Sequence, residues 1–288
     1  MSNRARLSAF LWLAAACASG GAGGGSSGGG SAARPTIDPV APPPVVNNLR
    51  LQPDAVAHFA LARIDSLTVV MSGAEQGQVL DRTLFLTVTS EPSGAGRQIT
   101  VLVDSLQARE AGLVSPLALD SLKGMRWTGS LSPEGRMGRF AASRATLLGA
   151  PLDGQFRLLF PLLPPGGVSS GGTWSDSTSD TVQVSAFGGR DQARLQYTAG
   201  DAERAVGLPV LPVALQRLST ITGLASQSGQ TISLSGTDST QAVYRISSAG
   251  RLLAVDGHSI SALTISIPSV GQTLPASQRA VFSLTRLP

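Results

Sequence analysis

Few residues of the types that catalyse reactions occur in this chain of 288 residues, which has one cysteine and two histidines. A nucleophilic cysteine needs an imidazole beside it, and a zinc site of several histidines needs more than His58 and His258. We therefore expect no catalytic residues, no metal site and no cofactor. A Ser-His-Asp set that uses either histidine stays open, although no motif in the sequence supports it.

The segment from Gly24 to Gly28 formally matches the Gly-x-Ser-x-Gly pattern of a nucleophile elbow. In that motif the serine lies on a sharp turn between a strand and a helix. The surrounding residues here are glycine, serine and alanine, a composition typical of a flexible linker. We interpret the match as chance.

The segment from Asp176 to Asp180 spaces side-chain oxygens like the start of a calcium-binding loop. An EF-hand loop needs glycine at its sixth position and a bidentate glutamate at its twelfth. Thr181 and Phe187 stand at those positions, which excludes an EF-hand. We expect a polar loop between strands, with weak calcium binding as the alternative.

A formal net charge of +4 and a sequence pI of about 10.2 suggest a nucleic-acid partner at first sight. The pI is high because Lys123 is the only lysine and the other basic residues are arginines, which hardly titrate. The basic residues are not clustered or interleaved with aromatic residues, as they are on nucleic-acid-binding surfaces. We therefore expect no nucleic-acid partner.

The N-terminus carries the clearest signal in the sequence. Arg4 and Arg6 precede a largely apolar stretch from Leu7 to Ala16, which is too short to span a bilayer of about 30 Å. The segment from Leu13 to Cys17 resembles the lipobox of bacterial lipoproteins. The resemblance implies that residues 1–16 are a removed signal peptide and that Cys17 is acylated and anchors the protein to a membrane. An ordinary secretory signal with an unrelated cysteine is the alternative.

Residues 17–48 are expected to be the lipidated cysteine and a tether. Residues 18–34 are glycine, serine, alanine and one arginine, which cannot form a core. Five prolines between Pro35 and Pro44 stiffen the following part of the chain. Because Ala18 rather than aspartate follows Cys17, the resemblance favours the outer membrane of the cell envelope, with the domain facing the periplasm.

From about residue 55 onward, apolar and polar residues alternate, which is the period of half-buried strands. About ten strands are predicted, and the short Gly/Ser turns between them favour antiparallel pairing. The alternation is clearest in two neighbouring strands, at Leu84, Leu86 and Val88 and at Ile99, Val101 and Val103.

The predicted strand that precedes these two, from Phe59 to Met71, is interrupted. Its apolar residues from Phe59 to Met71 share one parity, but Arg63 and Asp65 stand at two positions of that parity. The interruption predicts a bend or two shorter strands.

Two helical segments are predicted among the strands. The first begins at the N-cap Ser115 and ends at Gly124, which can adopt a left-handed C-cap. The second lies between Ala142 and Phe160, and only pieces of it are expected to be helical because of Gly149, Pro151 and Gly154. The apolar residues of the first helix are Leu117, Leu119 and Leu122.

A faint internal repeat relates residues 127–137 to residues 244–252. Each stretch begins with an aromatic residue, alternates, and ends in a turn with Gly-Arg followed by an apolar residue. Duplication of a β-rich unit and a generic hairpin explain this pattern equally well.

Residues 160–174 begin with Phe-Pro-Leu-Leu-Pro and continue through Val168 and Gly171 to Trp174. They resemble the Phe-Pro-x-Leu-Pro…Val-x-x-Gly-Asp-x-Trp linker of a group of uncharacterised bacterial lipoproteins, with Gly172 in place of the aspartate. The resemblance implies a duplicated β unit and a curved, half-barrel-like antiparallel sheet in the style of lipoprotein carriers, which hold an acyl chain on the concave face. By its chemistry alone, Trp174 is expected to be a core anchor.

The sequence thus predicts a mainly β chain with a few short helices. The expected units are β-rich halves at 49–160 and 177–288, joined by a linker at 161–176. Two classes of function follow. In the first, the concave face binds a lipid or another hydrophobic ligand, through residues that the sequence does not identify. In the second, the domain is a structural or protein-interaction module of the envelope, and its own helices and loops fill the concave face. A hydrolytic enzyme is the least supported class.

Overall fold

The structure is a computed structural model that describes residues 45–71, 73–110, 116–132, 135–144, 146, 149, 152–157, 159–184, 187–205, 208–227 and 230–288. The predictions about the signal peptide, Cys17, the Gly24 to Gly28 segment and most of the tether lie outside these residues. So does the N-cap prediction for Ser115.

The described residues form a mainly β fold, which confirms the predicted fold class. They contain two short α-helices, α1 (Pro116–Asp120) and α2 (Leu152–Arg157), and a 3-10 turn at Pro268–Val270. None of these helices has the length and hydropathy that a membrane-spanning helix needs. The strands are β1 (Val56–Met71), β2 (Ala74–Ser93), β3 (Gly96–Glu110), β4 (Arg126–Leu131), β5 (Ala141–Ala142), β6 (Thr173–Val184), β7 (Phe187–Ala199), β8 (Glu203–Ala205), β9 (Leu208–Gln227), β10 (Gln230–Ser247), β11 (Leu252–Ile267) and β12 (Gln272–Arg286).

All twelve strands belong to one antiparallel sheet in the order β5-β4-β3-β2-β1-β12-β11-β10-β9-β7-β6, with β8 paired to β9 beside this path. The first and last long strands, β1 and β12, are neighbours in the middle of the sheet. The strands β5 and β6 are its two ends, so the sheet is open.

The strand β1 is continuous over 16 residues, so the prediction of two shorter strands is wrong. It pairs with β2 without a break from Val56 to Met71. Arg63 and Asp65 keep the parity of the apolar residues around them and are 3% and 2% exposed. The interruption of the apolar pattern therefore marks a buried polar pair, because alternation fixes which face a side chain points to, whatever its chemistry.

The chain passes from β5 to β6 across the whole width of the sheet, because these two strands are its opposite ends. We call the described residues of this connection, 143–144, 146, 149, 152–157 and 159–172, the cover segment. It contains α2 and lies over the concave face, where its side chains join the core. Its buried side chains include Gln155 and the hydrophobic residues Leu152, Phe156, Leu159, Leu163 and Val168.

Contacts between the two ends of the sheet show that it is curved. The loop between β4 and β5 carries Arg136, whose Nη1 lies 2.9 Å from Oδ2 of Asp176 on β6. Arg139 in the same loop donates to the Thr181 carbonyl, also on β6. Residues at opposite ends of an eleven-strand path can meet only if the sheet curls toward itself. The predicted curved antiparallel sheet agrees with this arrangement.

Residues 45–54, before β1, form a strap over one end of the curved sheet. Val46 and Leu49 are buried in the core, and Leu49 exchanges two backbone hydrogen bonds with Val168 of the cover segment, at 2.8 and 3.0 Å. The amide of Gln52 donates to the carbonyl of Gly250 at 2.8 Å. The strap therefore joins the cover segment to the turn between β10 and β11.

The first predicted helix is shorter than expected and exposes one of its leucines. Leu119 and Leu122 are buried, whereas Leu117 is 81% exposed, so its assignment to the apolar face is wrong. Gly124 has a φ of 72°, the left-handed conformation that was predicted. Residues two positions apart lie on nearly opposite sides of a helix, so Leu117 and Leu119 of α1 cannot both face the core, and Leu122 lies after the end of the helix.

The segment from Asp176 to Asp180 lies inside β6 and is not the loop that the sequence predicted. Its alternating serines and aspartates follow the period of a strand, with Asp176, Thr178 and Asp180 at one parity. The high content of Ser, Thr and Asp disguised this alternation, because these residues also favour turns.

The two stretches of the suspected repeat form turns with the same hydrogen bonds. The amide of Ser132 donates to the carbonyl of Arg136 at 3.0 Å, and the amide of Ser247 donates to the carbonyl of Arg251 at 2.9 Å. In each turn the arginine amide donates to the serine Oγ at 3.2 Å. A glycine with positive φ precedes the arginine in both turns.

Candidate functional site

The concave face carries two apolar clusters. The first lies under the cover segment, where Phe156 of α2 packs edge-on against Trp127 of β4 with ring centroids 5.1 Å apart. The second lies farther along the strands and contains Leu67 and Val69 of β1 and side chains of β9 to β12. In both clusters the buried side chains come from alternate strand positions, as the period of a strand requires.

A belt of buried polar side chains crosses the sheet between the two apolar clusters. Its members keep the inward parity of their strands but are charged or polar. We call them the polar belt, and they form the candidate site. They are Arg63 and Asp65 of β1, Arg82 of β2, Gln278 of β12, Ser259 and Ser261 of β11, Asp238 and Thr240 of β10, Arg217 and Ser219 of β9, and Asp191 of β7.

The part of the belt on β1, β2 and β12 is the Arg63 cluster, made of Arg63, Asp65, Arg82 and Gln278. Arg63 Nη2 lies 2.7 Å from Asp65 Oδ1, and Arg63 Nε donates to both oxygens of that carboxylate at 2.9 Å. Gln278 Nε2 donates to Asp65 Oδ1 at 3.0 Å. Arg82 Nη2 stands 3.5 Å from Asp65 Oδ2, so two guanidinium groups share one carboxylate.

Burial and charge act in opposite directions on the titration of this cluster. Burial would raise the pKa of Asp65, but the charges of Arg63 and Arg82 and the hydrogen bonds that it accepts hold the pKa below 3.8. Burial lowers the pKa of Arg82, and the neighbouring charge of Arg63 lowers it further, against the attraction of Asp65. Arg82 is therefore a buried cation that its surroundings do not fully compensate.

The part of the belt on β7, β9, β10 and β11 is the Asp238 cluster, made of Asp191, Arg217, Asp238, Thr240 and Ser261. Arg217 Nη1 lies 2.9 Å from Asp238 Oδ2, and Arg217 also pairs with Asp191. Thr240 Oγ1 and Ser261 Oγ donate to the Asp238 carboxylate at 3.2 and 3.4 Å. Here one guanidinium serves two carboxylates, the reverse of the Arg63 cluster.

The two clusters balance each other in number of charges but not in position. Asp65 on β1 and Asp238 on β10 are three strand spacings apart, about 14 Å along the sheet. Opposite unit charges attract by about 1 kcal/mol at 14 Å and by about 4 kcal/mol at 4 Å, at an effective dielectric constant of about 20. The distant excess of negative charge therefore compensates little of the local excess of positive charge in the Arg63 cluster.

A cavity of about 10 Å³ lies between α2 and the sheet, next to the Arg63 cluster. Its volume is close to the minimum that one water molecule needs. Two of the lining residues are polar, Arg63 of β1 and Gln155 of α2. The others are apolar: Leu61, Leu159, Val255, Phe282 and Leu284.

In the Arg63 cluster and in the cavity lining, three buried polar atoms have no hydrogen-bond partner among the described residues. They are Arg82 Nε, Gln278 Oε1 and Gln155 Oε1. A buried polar atom without a partner costs free energy, so such atoms usually mark places where water or a ligand binds.

The rim of the cover segment is held to β6 by ion pairs. Arg157 of α2 pairs with Asp180 at 2.8 Å, and Arg139 lies 3.9 Å from the same carboxylate. Asp153 of α2 accepts a hydrogen bond from the Phe140 amide at 2.8 Å. The carboxylates of Asp176 and Asp180 form ion pairs with arginines. The structure therefore offers no reason to expect calcium at this segment of β6. No group of three or more His, Cys, Asp or Glu suited to a metal occurs in the described residues.

The two histidines lie on the convex face and away from each other on β1 and β11. His58 Nδ1 is 3.0 Å from Thr87 Oγ1, whose hydroxyl donates to Asp104 Oδ2 at 2.7 Å. The Thr87 proton therefore points away from the imidazole, unlike the proton of a nucleophile activated by histidine. Burial lowers the pKa of His258, which keeps this imidazole neutral at pH 7.

The linker motif is tied to the rest of the fold through its tryptophan. Trp174 stacks on Tyr197 with ring centroids 5.2 Å apart, and its Nε1 donates to the Leu162 carbonyl at 2.8 Å. This packing agrees with the expectation that Trp174 is a core anchor. Burial raises the pKa of Tyr197 to about 12, so its phenol is neutral at physiological pH.

Sequence reasoning identified no ligand-binding residues and missed the polar belt. The available signal was parity: Arg63 and Asp65 occupy the same alternate positions as Leu61 and Leu67. A charged residue at an inward position of a long strand predicts a buried ion pair or a site. Comparison with known protein families and with characterised proteins finds no match to this chain.

Proposed function

We propose that this protein is a lipid-anchored envelope protein that binds a hydrophobic ligand on the concave face, beneath the cover segment, and that it is not an enzyme. One observation carries the proposal: the first apolar cluster is closed by the cover segment, which contains a helix of six residues and, in its described residues from Arg144 to Ser170, forms no backbone hydrogen bond with a strand of the sheet. Such a connection can move without breaking the pairing of the sheet.

The contacts at the rim support a movable cover. The Arg157 and Asp180 side chains are 26% and 24% exposed. An ion pair with this exposure contributes about 0 to 1 kcal/mol. The cover segment is therefore held mainly by apolar contacts. An apolar ligand can make contacts of the same kind in their place.

The proposed anchor places the domain where such ligands occur. An acylated Cys17 would hold the domain at the outer membrane on its periplasmic side, and residues 18–44 provide the reach to it. Membrane lipids are then the nearest hydrophobic molecules.

The second candidate function is a structural or protein-interaction module without a ligand. It is favoured by the filling of the concave face, since Leu152 and Phe156 are 0% exposed beneath the sheet. In this alternative the cover segment is a permanent part of the core.

Uptake of a fluorescent fatty acid, followed by stopped-flow fluorescence, tests the proposal. Asp180→Asn removes the partner of Arg157 and Arg139 and leaves the apolar contacts unchanged. We expect this variant to take up the probe at least three-fold faster than the wild type. The matched control is Asp256→Asn, which removes the partner of Arg245 in an exposed ion pair far from the cover segment.

Two results would support the second candidate function, a module without a ligand. The first is a wild-type protein that neither binds the probe nor carries lipid in native mass spectrometry. The second is binding that occurs at the same rate in the wild type, in Asp180→Asn and in the control, since it would place the probe elsewhere on the surface.

A further inference from the structure

The cavity beneath α2 combines an apolar lining with one end of the Arg63 cluster. Five apolar side chains line it, and among the described residues Arg63 is the charged one that reaches it. Arg82 does not line the cavity, but it is the cross-strand neighbour of Arg63 on β2 and contacts the same carboxylate, that of Asp65. An apolar space that ends at Arg63, with a second cation directly behind it, fits a molecule with a hydrocarbon chain and a negative head group.

The charges of the Arg63 cluster point to a missing anion. Two buried guanidinium groups face one carboxylate, that of Asp65, and Arg63 holds this carboxylate at the shorter distance. The side chain of Arg82 is 8% exposed, so water compensates it poorly. A second carboxylate would make the number of cations and anions equal.

The hydrogen bonds of the cluster point the same way. Arg82 Nε is a buried donor without a partner among the described residues. A guanidinium group donates in a planar fork that matches the two oxygens of a carboxylate. The free donor therefore has the chemistry and geometry to bind a carboxylate oxygen.

We propose that the ligand is a single-chain carboxylate, of which a long-chain fatty acid is the model, with its chain under the cover segment and its carboxylate paired with Arg82 and Arg63. This inference rests on the proposed function and adds the chemical class of the ligand. Asp65 and Gln278 are positioning residues, because they orient Arg63 and do not contact the ligand. Admitting the chain requires that the two cover-segment residues lining the cavity, Gln155 of α2 and Leu159, move aside.

The first test needs no variant. Binding of palmitic acid and of its methyl ester to the full chain is measured by competition with a fluorescent fatty-acid probe. The two molecules share the hydrocarbon chain and differ in charge. We expect the acid to bind at least ten-fold more tightly than the ester.

The second test uses Arg82→Gln, which removes the excess cation and leaves the Arg63–Asp65 pair intact. We expect the affinity for the acid to fall at least ten-fold and the affinity for the ester to stay within two-fold. The control is Arg279→Gln, an exposed arginine on the convex face of β12, which should change neither affinity. Circular dichroism checks that the variants fold.

The outcomes separate this inference from the function on which it rests. Equal binding of acid and ester by the wild type overturns the carboxylate site and leaves the hydrophobic ligand standing. Unchanged preference for the acid in Arg82→Gln overturns the assignment to this cluster. Binding of neither molecule overturns the proposed function itself. If Arg82→Gln does not fold, the comparison of acid and ester on the wild type decides.

Discussion

Arg63 and Asp65 stand two residues apart on β1 and form an ion pair, 2.7 Å between Nη2 and Oδ1, with both side chains 3% exposed. Residues at i and i+2 point to the same face of a strand, so this pairing needs no turn or loop. The pair sits between two apolar clusters, where a lone charge would be very costly. It lies near one end of the polar belt, and the polar belt is the part of the concave face that departs most from an ordinary core.

Removing the carboxylate of this pair should destabilise the fold strongly. In Asp65→Asn, Arg63 and Arg82 remain buried without an anion, a situation that costs about 3 to 5 kcal/mol. Urea unfolding followed by circular dichroism measures the loss. Asp120→Asn removes the partner of Lys123 in an exposed ion pair and serves as the control. A loss below about 1 kcal/mol in Asp65→Asn would mean that water reaches the belt freely.

The two leucines of the α1 region should respond differently to a charge. Leu122 is 0% exposed and Leu117 is 81% exposed. Leu122→Asp should lower the free energy of unfolding by about 4 kcal/mol or more, because it places an unpaired carboxylate in the core. Leu117→Asp should change it by less than about 0.5 kcal/mol. Thermal unfolding of both variants checks the difference, and equal losses would contradict the burial of Leu122.

Protonated Asp153 should stabilise the folded state in acid, and ionised Asp153 should destabilise it at neutral pH. Burial raises the pKa of Asp153 above 3.8 in the folded protein, against the attraction of Arg157. The folded state therefore binds this proton more tightly than the unfolded state, and the stability that Asp153 contributes below pH 3.8 is lost as the pH rises through the raised pKa. Asp153→Asn keeps an acceptor for the Phe140 amide and carries no charge. We expect the variant to gain stability relative to the wild type at pH 7 and to lose that gain near pH 4, as measured by urea unfolding. A gain that grows toward acid would contradict this sign.

The strap depends on a glycine in the turn between β10 and β11. Gly250 has a φ of 79°, and a Cβ added there would stand 2.1 Å from the carbonyl oxygen of Arg50. Gly73 has a similar φ of 78°, with no atom within 4 Å of an added Cβ. Substitution by alanine costs about 1 to 2 kcal/mol at either position for the left-handed backbone. Gly250→Ala should cost more than Gly73→Ala and make the strap more sensitive to protease, and equal losses in the two variants would show that the strap is not closely packed.

The anchor is tested at Cys17. Cys17→Ser should leave the protein unprocessed or release it from the membrane fraction, because a serine cannot carry the thioether-linked lipid. Fractionation and intact-mass spectrometry measure both effects. Membrane retention and processing identical to the wild type would disprove lipidation at this residue.

Local features of the fold could be predicted from the sequence because their causes are local. In β2 and β3, alternation alone identified the inward residues, and Leu84, Leu86 and Val101 are 0 to 1% exposed. The left-handed conformation of Gly124 followed from its place at the end of an apolar helical pattern. These features depend on residues a few positions apart, which the sequence displays side by side.

The order of the strands, the cover and the polar belt were decided by the tertiary structure. Asp65 and Gln278 are 213 positions apart in sequence, and β1 and β12 become neighbours only when the sheet forms. Arg63 and Asp65 read as an interruption of one strand until Arg82 and Gln278, which contact Asp65 from neighbouring strands, are known. The same holds for the concave face: alternation shows that it must be covered, because apolar side chains leave water, but it does not show what covers it. That depends on β5 and β6 lying at opposite ends of the sheet, a non-local arrangement that forces the chain between them across the concave face.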